Sequence, residues 1–312
     1  MNKPLVVVLG GSGFLGRHLA QMLVQAGYRV RIPSRNRNVA MKAAAIPGAD
    51  LISANVHDPD QLAKLLRGAS VAINLVGILN ENGDNGRGFQ TAHVELVEKL
   101  IGACKKAGVK RLLQMSSLNA GRGSSYYLKS RGEAEQKVKD SGLDWTIFQP
   151  SVIFGRGDSL FNRFAALLKI APIMPLAKAG SKFAPVYVGD VARAMVLALG
   201  DKSSIGQSYE LYGDRTMTLE EIVRYTAEQL GLKRLIWRLP DALGRLQALA
   251  MDFVPGKPFS SDNYRSLSLD SVGGVDGLFK LGVKKTPVEA IVPLMLGSCG
   301  RQALLDRGRQ VR

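Results

Sequence analysis

Short apolar runs alternate with longer amphipathic stretches through the first half of the chain. The apolar runs predict β-strands at residues 5–9, 29–32, 50–54, 71–75, 111–115 and 145–149. The stretches between them carry the 3.6-residue periodicity of helices, most clearly at residues 93–107 and 132–141. Strands that alternate with helices of this length predict an α/β fold with a parallel, doubly wound sheet and right-handed crossovers.

The pattern changes after Pro150, where turns are more frequent and the apolar elements are shorter. Glycines at positions 155, 157, 180 and 189 interrupt this half, and helices are predicted at residues 190–199, 219–230 and 240–251. We therefore expect one domain over residues 1–150. Residues 151–300 should complete its sheet and form a smaller, interleaved carboxy-terminal lobe that covers the ligand site, and residues 301–312 should form a basic, flexible tail.

The predicted helix at residues 240–251 has an apolar stripe on one side. The stripe consists of Leu239, Leu243, Leu246, Leu249 and Ala250. A stripe at helical spacing most often packs against a protein core, which is the interpretation we favour. The alternative is that the stripe rests on a partner protein or on lipid.

The first predicted strand leads directly into a glycine-rich turn and then into a helical pattern. The segment reads Leu5-Val6-Val7-Val8-Leu9-Gly10-Gly11-Ser12-Gly13-Phe14-Leu15-Gly16. Gly10 can turn the chain tightly, Gly13 lets the backbone approach a pyrophosphate, and Gly16 permits close packing of helix on strand. The free N–H groups of the first helical turn, around Phe14 and Leu15, would face the phosphates. The motif therefore predicts a Rossmann-type dinucleotide-binding unit.

The end of the second strand bears on which nicotinamide cofactor binds. An acidic residue there usually indicates NAD, because it binds the ribose 2′-hydroxyl. This chain has Ser34 and Arg35 at that position, followed by Arg37. A guanidinium can pair with a 2′-phosphate, and the serine hydroxyl can donate to it. We expect NADP(H) to be preferred, with NAD(H) as the alternative, unless the two arginines are only solvated loop charges.

Two further strand ends should line the cofactor. Asn55 and Val56 follow the third strand and would lie against the adenine, just before a helix that Asp58 is expected to cap. The fourth strand ends in Asn74-Leu75-Val76-Gly77, where small residues let the backbone pass beside the ribose.

Together, the glycine motif, Asn74-Leu75-Val76-Gly77, the pair Ser116-Ser117 and a tyrosine-rich helix start resemble the extended or atypical short-chain dehydrogenase/reductase superfamily. That superfamily places a Tyr and, four residues later, a Lys on one helix face, where the ammonium lowers the phenol pKa and holds the nicotinamide ribose. A Ser near the end of the fifth strand orients the substrate carbonyl, and Ser117 is the better candidate here.

The Tyr-Lys motif is altered in this chain. Aligning Tyr127 with the superfamily Tyr places Arg131 where Lys belongs, whereas aligning Tyr126 places Ser130 there; Lys129 has the wrong spacing in both registers. The resemblance makes Tyr127, Ser117 and Arg131 the candidate catalytic residues, with Ser116 beside them. Because a guanidinium is not equivalent to a compact ammonium, proton relay is in doubt.

Segments in the second half of the chain indicate which family within the superfamily this chain resembles. Residues 148–158 resemble the segment beside the nicotinamide, which implies cofactor contacts for Pro150, Ser151 and Val152, although Gln149 stands where the superfamily usually has Arg. With residues 185–192, 255–272 and 281–283, they resemble the bacterial relatives of the alpha-subcomplex subunit nine of respiratory complex I. The resemblance implies tightly held NADP(H) and an accessory or quinone-linked role.

Charge and residue usage limit the partners. The chain has 42 Lys and Arg against 26 Asp and Glu, a net charge of +16, which favours anionic partners such as an acidic protein or an anionic membrane surface. No basic stripe is interleaved with aromatic residues, so specific nucleic-acid binding is not expected.

Cys104 and Cys299 form no disulfide framework, and three isolated histidines predict no metal site. We expect a cytoplasmic location, with peripheral binding to the inner face of the membrane as a further possibility.

Three functions remain open at this point. The first is a cofactor-holding accessory protein of the respiratory or quinone apparatus, in which catalysis is doubtful. The second is an active NADP-dependent reductase, epimerase or dehydratase that acts on a small or nucleotide-sugar substrate through Tyr127 and Ser117. The third is a sensor that binds NADP(H) and changes its affinity for a partner without chemistry.

Overall fold

The computed structural model describes residues 3–35, 46, 48–255 and 257–297. Arg37, Cys299 and the tail at 301–312 lie outside these residues. The strands are β1 Leu5–Leu9, β2 Arg29–Ser34, β3 Ala49–Ser53, β4 Val71–Asn74, β5 Arg111–Met115, β6 Asp144–Pro150, β7 Ile153–Phe154, β8 Ile173–Leu176, β9 Lys182–Phe183, β10 Val186–Tyr187, β11 Gln207–Leu211, β12 Met217–Thr218 and β13 Leu235–Arg238.

Helices connect most of these strands. They are α1 Phe14–Gln25, α2 Pro59–Leu66, α3 Leu96–Ala107, α4 Tyr126–Lys139, α5 Phe161–Ile170, α6 Val188–Gly200, α7 Leu219–Gln229, α8 Asp241–Met251, α9 Ser261–Ser266, α10 Gly277–Lys280 and α11 Val288–Leu296. A helical turn at Arg87–Phe89 and a π-helical segment at Gln90–Glu95 lead into α3, and a 3₁₀ turn at Lys202–Ser204 follows α6. As predicted, Asp58 caps α2, because its carboxylate accepts from the N–H groups of Asp60 and Gln61.

Seven strands form one parallel sheet in the order β11-β6-β5-β4-β1-β2-β3. This confirms the predicted doubly wound α/β fold. The strand order reverses between β1 and β4, whose last residues Leu9 and Asn74 are paired in register. In open α/β sheets, ligands bind outside the carboxyl ends of the strands at such a reversal.

The two faces of β1 enter different cores, which explains why its sequence is continuously apolar. Val6 and Val8 pack with residues of α1 and α6, among them Leu19. Val7 and Leu9 pack with residues of α2, α3 and α4. A strand buried on both faces shows an apolar run rather than alternation.

The residues after β6 form three small two-stranded sheets, β7 with β10, β8 with β13, and β9 with β12, together with most of the later helices. Strand β11 returns to the main sheet beside β6. Within the described residues, no helix is long and apolar enough to cross a membrane.

The preferred interpretation of the leucine stripe on α8 is wrong. The buried residues of α8 are Gly244 and Ala248, whereas Leu243, Leu246 and Leu249 are exposed. The helix lies so close to its neighbours that a β-carbon on Gly244 would be 3.1 Å from the Ala177 β-carbon. Small residues therefore form the packed side, and the leucines face outward.

Candidate functional site

The glycine-rich turn after β1 leaves no room for a side chain at Gly10 or Gly16. Gly10 has a φ of +76°, which favours glycine, and a β-carbon there would lie 3.1 Å from the Leu75 carbonyl carbon. A β-carbon on Gly16 would lie 2.5 Å from the Gly11 Cα and closer still to the Gly10 carbonyl oxygen. The first turn of α1 is thereby held directly against the end of β1.

The amino terminus of α1 fits a phosphate group. Gly13 is the N-cap residue, and no side chain caps this helix end. The N–H groups that follow, of Phe14, Leu15 and Gly16, belong to the first turn and have no acceptor within the helix. A helix end of this kind attracts anions through its exposed N–H groups and its dipole. The predicted residues Gly10, Gly13, Phe14, Leu15 and Gly16 therefore lie together at one place.

Basic groups gather beyond the ends of β2 and β3. Ser34 ends β2 and Arg35 follows it with an exposed side chain. After β3, the Asn55 side chain accepts from the His57 N–H at 3.0 Å, and Val56 packs partly buried against the apolar core. Burial, Lys99 and then Arg35 lower the pKa of His57. Arg35 therefore lies close enough to act electrostatically on the turn that carries Asn55 and Val56.

The turn after β4 is fixed by the buried side chain of Asn74. Its amide nitrogen donates to the Gln114 side chain at 3.0 Å, and its amide oxygen accepts from the Val76 N–H at 3.1 Å. Leu75 and Val76 therefore face the glycine turn of β1 across the strand reversal. At Gly77, a β-carbon would overlap the Arg131 guanidinium and lie 3.0 Å from its Cζ.

Arg131 reaches from α4 to the carboxyl ends of β4 and β5. Its Nη1 donates to the Met115 carbonyl oxygen at 3.1 Å, and its Cζ lies 5.4 Å from the centroid of the Tyr127 ring. Ser130 instead bonds to His93, and Tyr126 lies under the Arg265 guanidinium with 5.1 Å between Cζ and the ring centroid. Of the two registers, the one with Tyr127 and Arg131 places its residues at the strand ends.

Three polar atoms at these strand ends are buried without a hydrogen-bond partner among the described residues. They are the hydroxyl oxygens of Ser116 and Ser117 and the Nε of Arg131. Burying a polar group without a partner costs about 1–3 kcal/mol, so such groups are rare in native proteins. Their grouping beside Gly77 and Tyr127 fits a polar ligand such as the ribose and amide of a nicotinamide nucleotide.

The segment after β6 serves partly structural roles. The Pro150 carbonyl oxygen accepts from the Leu118 N–H at 2.9 Å, which places it beside the serine pair. The Ser151 hydroxyl donates to the Ser271 carbonyl oxygen at 2.6 Å, and the Val152 carbonyl oxygen accepts from the Val186 N–H at 3.0 Å. Gln149 donates to the Glu135 carboxylate on α4 at 2.8 and 3.0 Å.

The ring of His93 packs against the ring of Tyr127. The sequence did not mark His93 as a candidate site residue. It lies in the π-helical segment and is almost fully buried, 5.7 Å from the Tyr127 ring between centroids. Its Nε2 accepts from the Ile78 N–H at 3.2 Å, so Nδ1 carries the proton and donates to the Ser130 hydroxyl at 2.8 Å. Ser130 in turn donates to the Tyr127 carbonyl oxygen at 2.9 Å. The only signal in the sequence is a histidine on the apolar side of a predicted helix.

His93 makes folding stability depend on pH. Burial, followed by the nearby charge of Arg131, lowers its pKa to about 2. The unfolded chain therefore takes up a proton first as the pH falls through about 6.5, and stability is lost below that value. Between pH 7 and pH 5 we expect this group to account for a loss of about 2 kcal/mol. Urea unfolding at both pH values should show that loss in the wild type and a smaller one in His93→Gln; equal losses in both would contradict the prediction.

A carboxylate from the distant α9 completes the start of α4. The two oxygens of Asp262 accept from the N–H groups of Tyr126 at 2.6 Å and Tyr127 at 3.1 Å. Asp262 is buried and also pairs with Arg265 at 3.1 Å. A negative charge at a helix amino terminus is favourable, so this contact fixes the helix that carries Tyr127 and Arg131. Asp262 lies within the family-like segment at residues 255–272, and its residue type alone indicates no role.

Comparisons with known proteins agree with this arrangement. A family model described as NAD(P)H-binding matches residues 10–159. The mitochondrial NADH dehydrogenase 1 alpha subcomplex subunit 9 of Arabidopsis thaliana is 31% identical over 87% of this chain and 69% of its own length. A ceramide reductase of Caulobacter vibrioides is 29% identical over 77% of this chain and 74% of its own. UDP-glucose 4-epimerase of Thermotoga maritima has the same fold, with a TM-score of 0.75 at 16% identity over 96% of this chain and 99% of the epimerase.

The parallel sheet, the glycine turn and the matching family model define a Rossmann-fold protein of the NAD(P)-binding class. Within that class, the chain belongs to the family of the complex I alpha subcomplex subunit 9 proteins. The resemblance stated from the sequence is thereby confirmed.

Proposed function

We propose that the protein holds NADP(H) as a bound nucleotide and serves an accessory role linked to respiratory complex I or to quinone metabolism. The observation that carries this proposal is the placement of Arg131. Its guanidinium lies against Gly77, donates to Met115 and faces the Tyr127 ring, at the position where the superfamily has its lysine. Relatives named as complex I subunits support the accessory role.

The chemistry of arginine favours holding over turnover. A guanidinium stays protonated in proteins, so it cannot pass a proton from Tyr127 to solvent as an ammonium can. It can still donate to ribose hydroxyls, and its Nε is buried without a partner among the described residues. A bound nicotinamide would supply hydride-transfer chemistry, for which Tyr127 and Ser117 are the proposed proton donor and carbonyl-orienting group.

An active NADP-dependent reductase, epimerase or dehydratase is the second candidate. Tyr127 is partly buried beside a permanent positive charge, and aromatic rings of Phe89 and His93 contact it at 6.0 and 5.7 Å between centroids. The unpartnered Ser117 hydroxyl lies in the same group of strand ends. The relative named ceramide reductase also favours this candidate.

The preference for NADP(H) is part of the proposal, with NAD(H) as the alternative. Ser34 ends β2 and Arg35 follows it, where a 2′-phosphate would lie. The acidic residue that usually indicates NAD is absent from these two positions. The positive charges of Lys99 and Arg35 acting on His57 make the same region favourable for an anion. We further propose that residues 1–150 hold the nucleotide and that residues 151–300 cover it.

We propose a cytoplasmic location with peripheral binding to the inner face of the membrane. The excess of positive charge supports it, since anionic lipid attracts basic proteins. An acidic protein partner would be favoured by the same charge.

The nucleotide released from the purified, denatured protein tests the function. We expect close to one NADP(H) per chain, exchanging slowly with added NADP⁺ before denaturation. A nucleotide that is held by several charge-assisted hydrogen bonds dissociates slowly from the protein. An empty protein that binds NADPH reversibly and reduces a substrate would instead establish the second candidate.

Arg35→Ala tests the cofactor preference in the same assay. Loss of one charge-assisted contact should lower NADP(H) affinity by about tenfold or more and leave NAD(H) affinity nearly unchanged. Arg193→Ala, which removes an exposed arginine on α6, is the matched control for net charge. An unchanged ratio of NADP to NAD affinity in Arg35→Ala would show that the phosphate assignment is wrong.

A further inference from the structure

A two-stranded ribbon in the second half of the chain exposes an apolar side. Strands β8 and β13 pair in parallel, with Ile173 opposite Leu235 and Pro175 opposite Trp237. These residues are exposed, whereas Met174 and Ile236 on the opposite side are buried in the core. Since side chains alternate along a strand, one side of this ribbon is apolar and faces solvent.

The outward leucines of α8 continue this apolar side. Gln247 of α8 donates to the Pro175 carbonyl oxygen at 3.1 Å, which fixes the helix beside β8. Leu243, Leu246 and Ala250 follow one another at helical spacing on the outward side, and Phe253 extends it past the helix end. Leu246 is 60% exposed and Trp237 is 52% exposed. We call this surface the apolar face; it comprises Ile170, Ile173, Leu235, Trp237, Leu243, Leu246, Leu249 and Phe253.

Positive charges border the apolar face. Lys169 precedes Ile170, and Lys233 and Arg234 precede Leu235. Arg234 donates to the Leu168 carbonyl oxygen at 2.7 Å, so the end of α5 and the start of β13 lie together. Lys169 and Lys233 are exposed, and neither forms an ion pair with the described residues.

We propose that the apolar face docks onto the surface of an anionic phospholipid bilayer, an inference that rests on the membrane link in the proposed function. Large aliphatic residues with a tryptophan, bordered by lysine and arginine, are the combination by which proteins lie in a membrane interface. The aliphatic side chains enter the acyl boundary, and the cations stay among the lipid phosphates. A second copy of this chain is disfavoured as occupant, because each copy carries a charge of +16.

The tryptophan gives a direct readout. The chain has two tryptophans, Trp145 and Trp237, so Trp145→Phe leaves Trp237 as the only indole. We expect its fluorescence to shift to shorter wavelength and to be quenched by doxyl-labelled lipid in vesicles that contain phosphatidylglycerol. Vesicles of phosphatidylcholine alone should bind far more weakly, because the lysines then have no anionic partner.

Substitutions separate the apolar and the charged contributions. In the full chain, Leu246→Gln together with Leu249→Gln should abolish sedimentation with the anionic vesicles. Leu294→Gln is the matched control, since Leu294 is 74% exposed on α11, outside the apolar face. Lys169→Gln and Lys233→Gln should each weaken vesicle binding by about fivefold.

The outcomes are distinct from those of the nucleotide assay. Nucleotide-loaded protein that fails to bind anionic vesicles overturns the docking proposal and leaves the proposed function standing. Vesicle binding that Leu246→Gln with Leu249→Gln leaves intact also overturns it. Self-association that these substitutions abolish, in place of vesicle binding, would assign the apolar face to a second copy. Vesicle binding by a chain that holds no nucleotide would support the docking surface while contradicting the nucleotide proposal.

Discussion

Gly16→Ala is expected to abolish nucleotide binding and to lower the free energy of unfolding by about 1–3 kcal/mol. The added methyl would meet the Gly11 Cα at 2.5 Å and the Gly10 carbonyl oxygen at a shorter distance. Both obstacles are backbone atoms of the same turn, so they cannot move aside as a flexible side chain would. The turn must open, and its N–H groups then no longer converge on a phosphate. Equilibrium dialysis with NADPH and urea unfolding measure the two effects.

Gly102→Ala is the matched control. Gly102 lies within α3, and a β-carbon there has nothing within 4 Å among the described residues. Alanine is the better helix former, so this variant should be as stable as the wild type or more stable by about 0.5–1 kcal/mol. Nucleotide binding by Gly16→Ala at wild-type affinity would show that the glycine turn does not hold the phosphates.

Arg131→Met is expected to weaken nucleotide binding by about 10- to 150-fold. A hydrogen bond to a charged group contributes about 1.5–3 kcal/mol, which corresponds to that range. Methionine keeps much of the side-chain length against Gly77 and the Tyr127 ring, but it has no donor for a ribose or for the Met115 carbonyl oxygen. Isothermal titration with NADPH provides the measurement.

Lys129→Met controls for the loss of one positive charge on the same helix, because Lys129 is exposed and two residues away. Its affinity for NADPH should stay close to that of the wild type. Arg131→Lys then distinguishes the candidate functions. If the arginine is what prevents turnover, the lysine variant should gain reductase activity; an Arg131→Met variant that binds NADPH as tightly as the wild type would remove Arg131 from the site altogether.

The central strands of the sheet, β1, β4 and β5, were predictable because they are buried on both faces and therefore read as apolar runs. All six strands predicted in the first half are present, and β1 and β5 have the predicted bounds. Helix ends were harder to predict from periodicity. The clearest periodicity of α4 covers residues 132–141, whereas the helix begins at Tyr126, because its first turn is capped by Ser125 and Asp262 rather than marked by apolar residues.

The parts of the site that depend on distant contacts could not be read from the sequence. Asp262 reaches the start of α4 from another helix, and Gln149 is held by Glu135. His93 takes its place because the helix before α3 widens into a π-helical turn, which no periodicity indicated. The outward stripe of α8 was misjudged because hydrophobicity alone cannot reveal that Gly244 is the packed residue.

The link between Asp262 and the start of α4 also bears on biosynthesis. The carboxylate lies 136 residues after Tyr126 in the chain, so the ribosome makes the helix long before the group that caps it. At about 5–20 residues per second, the gap is on the order of ten seconds. During that interval the tyrosine helix lacks its acidic cap, and Lys257 and Ser260 are not yet there to bond to the loop at Gly83 and Asn80. A nascent chain therefore contains strands β1 to β6 well before the group that fixes its tyrosine helix has been made.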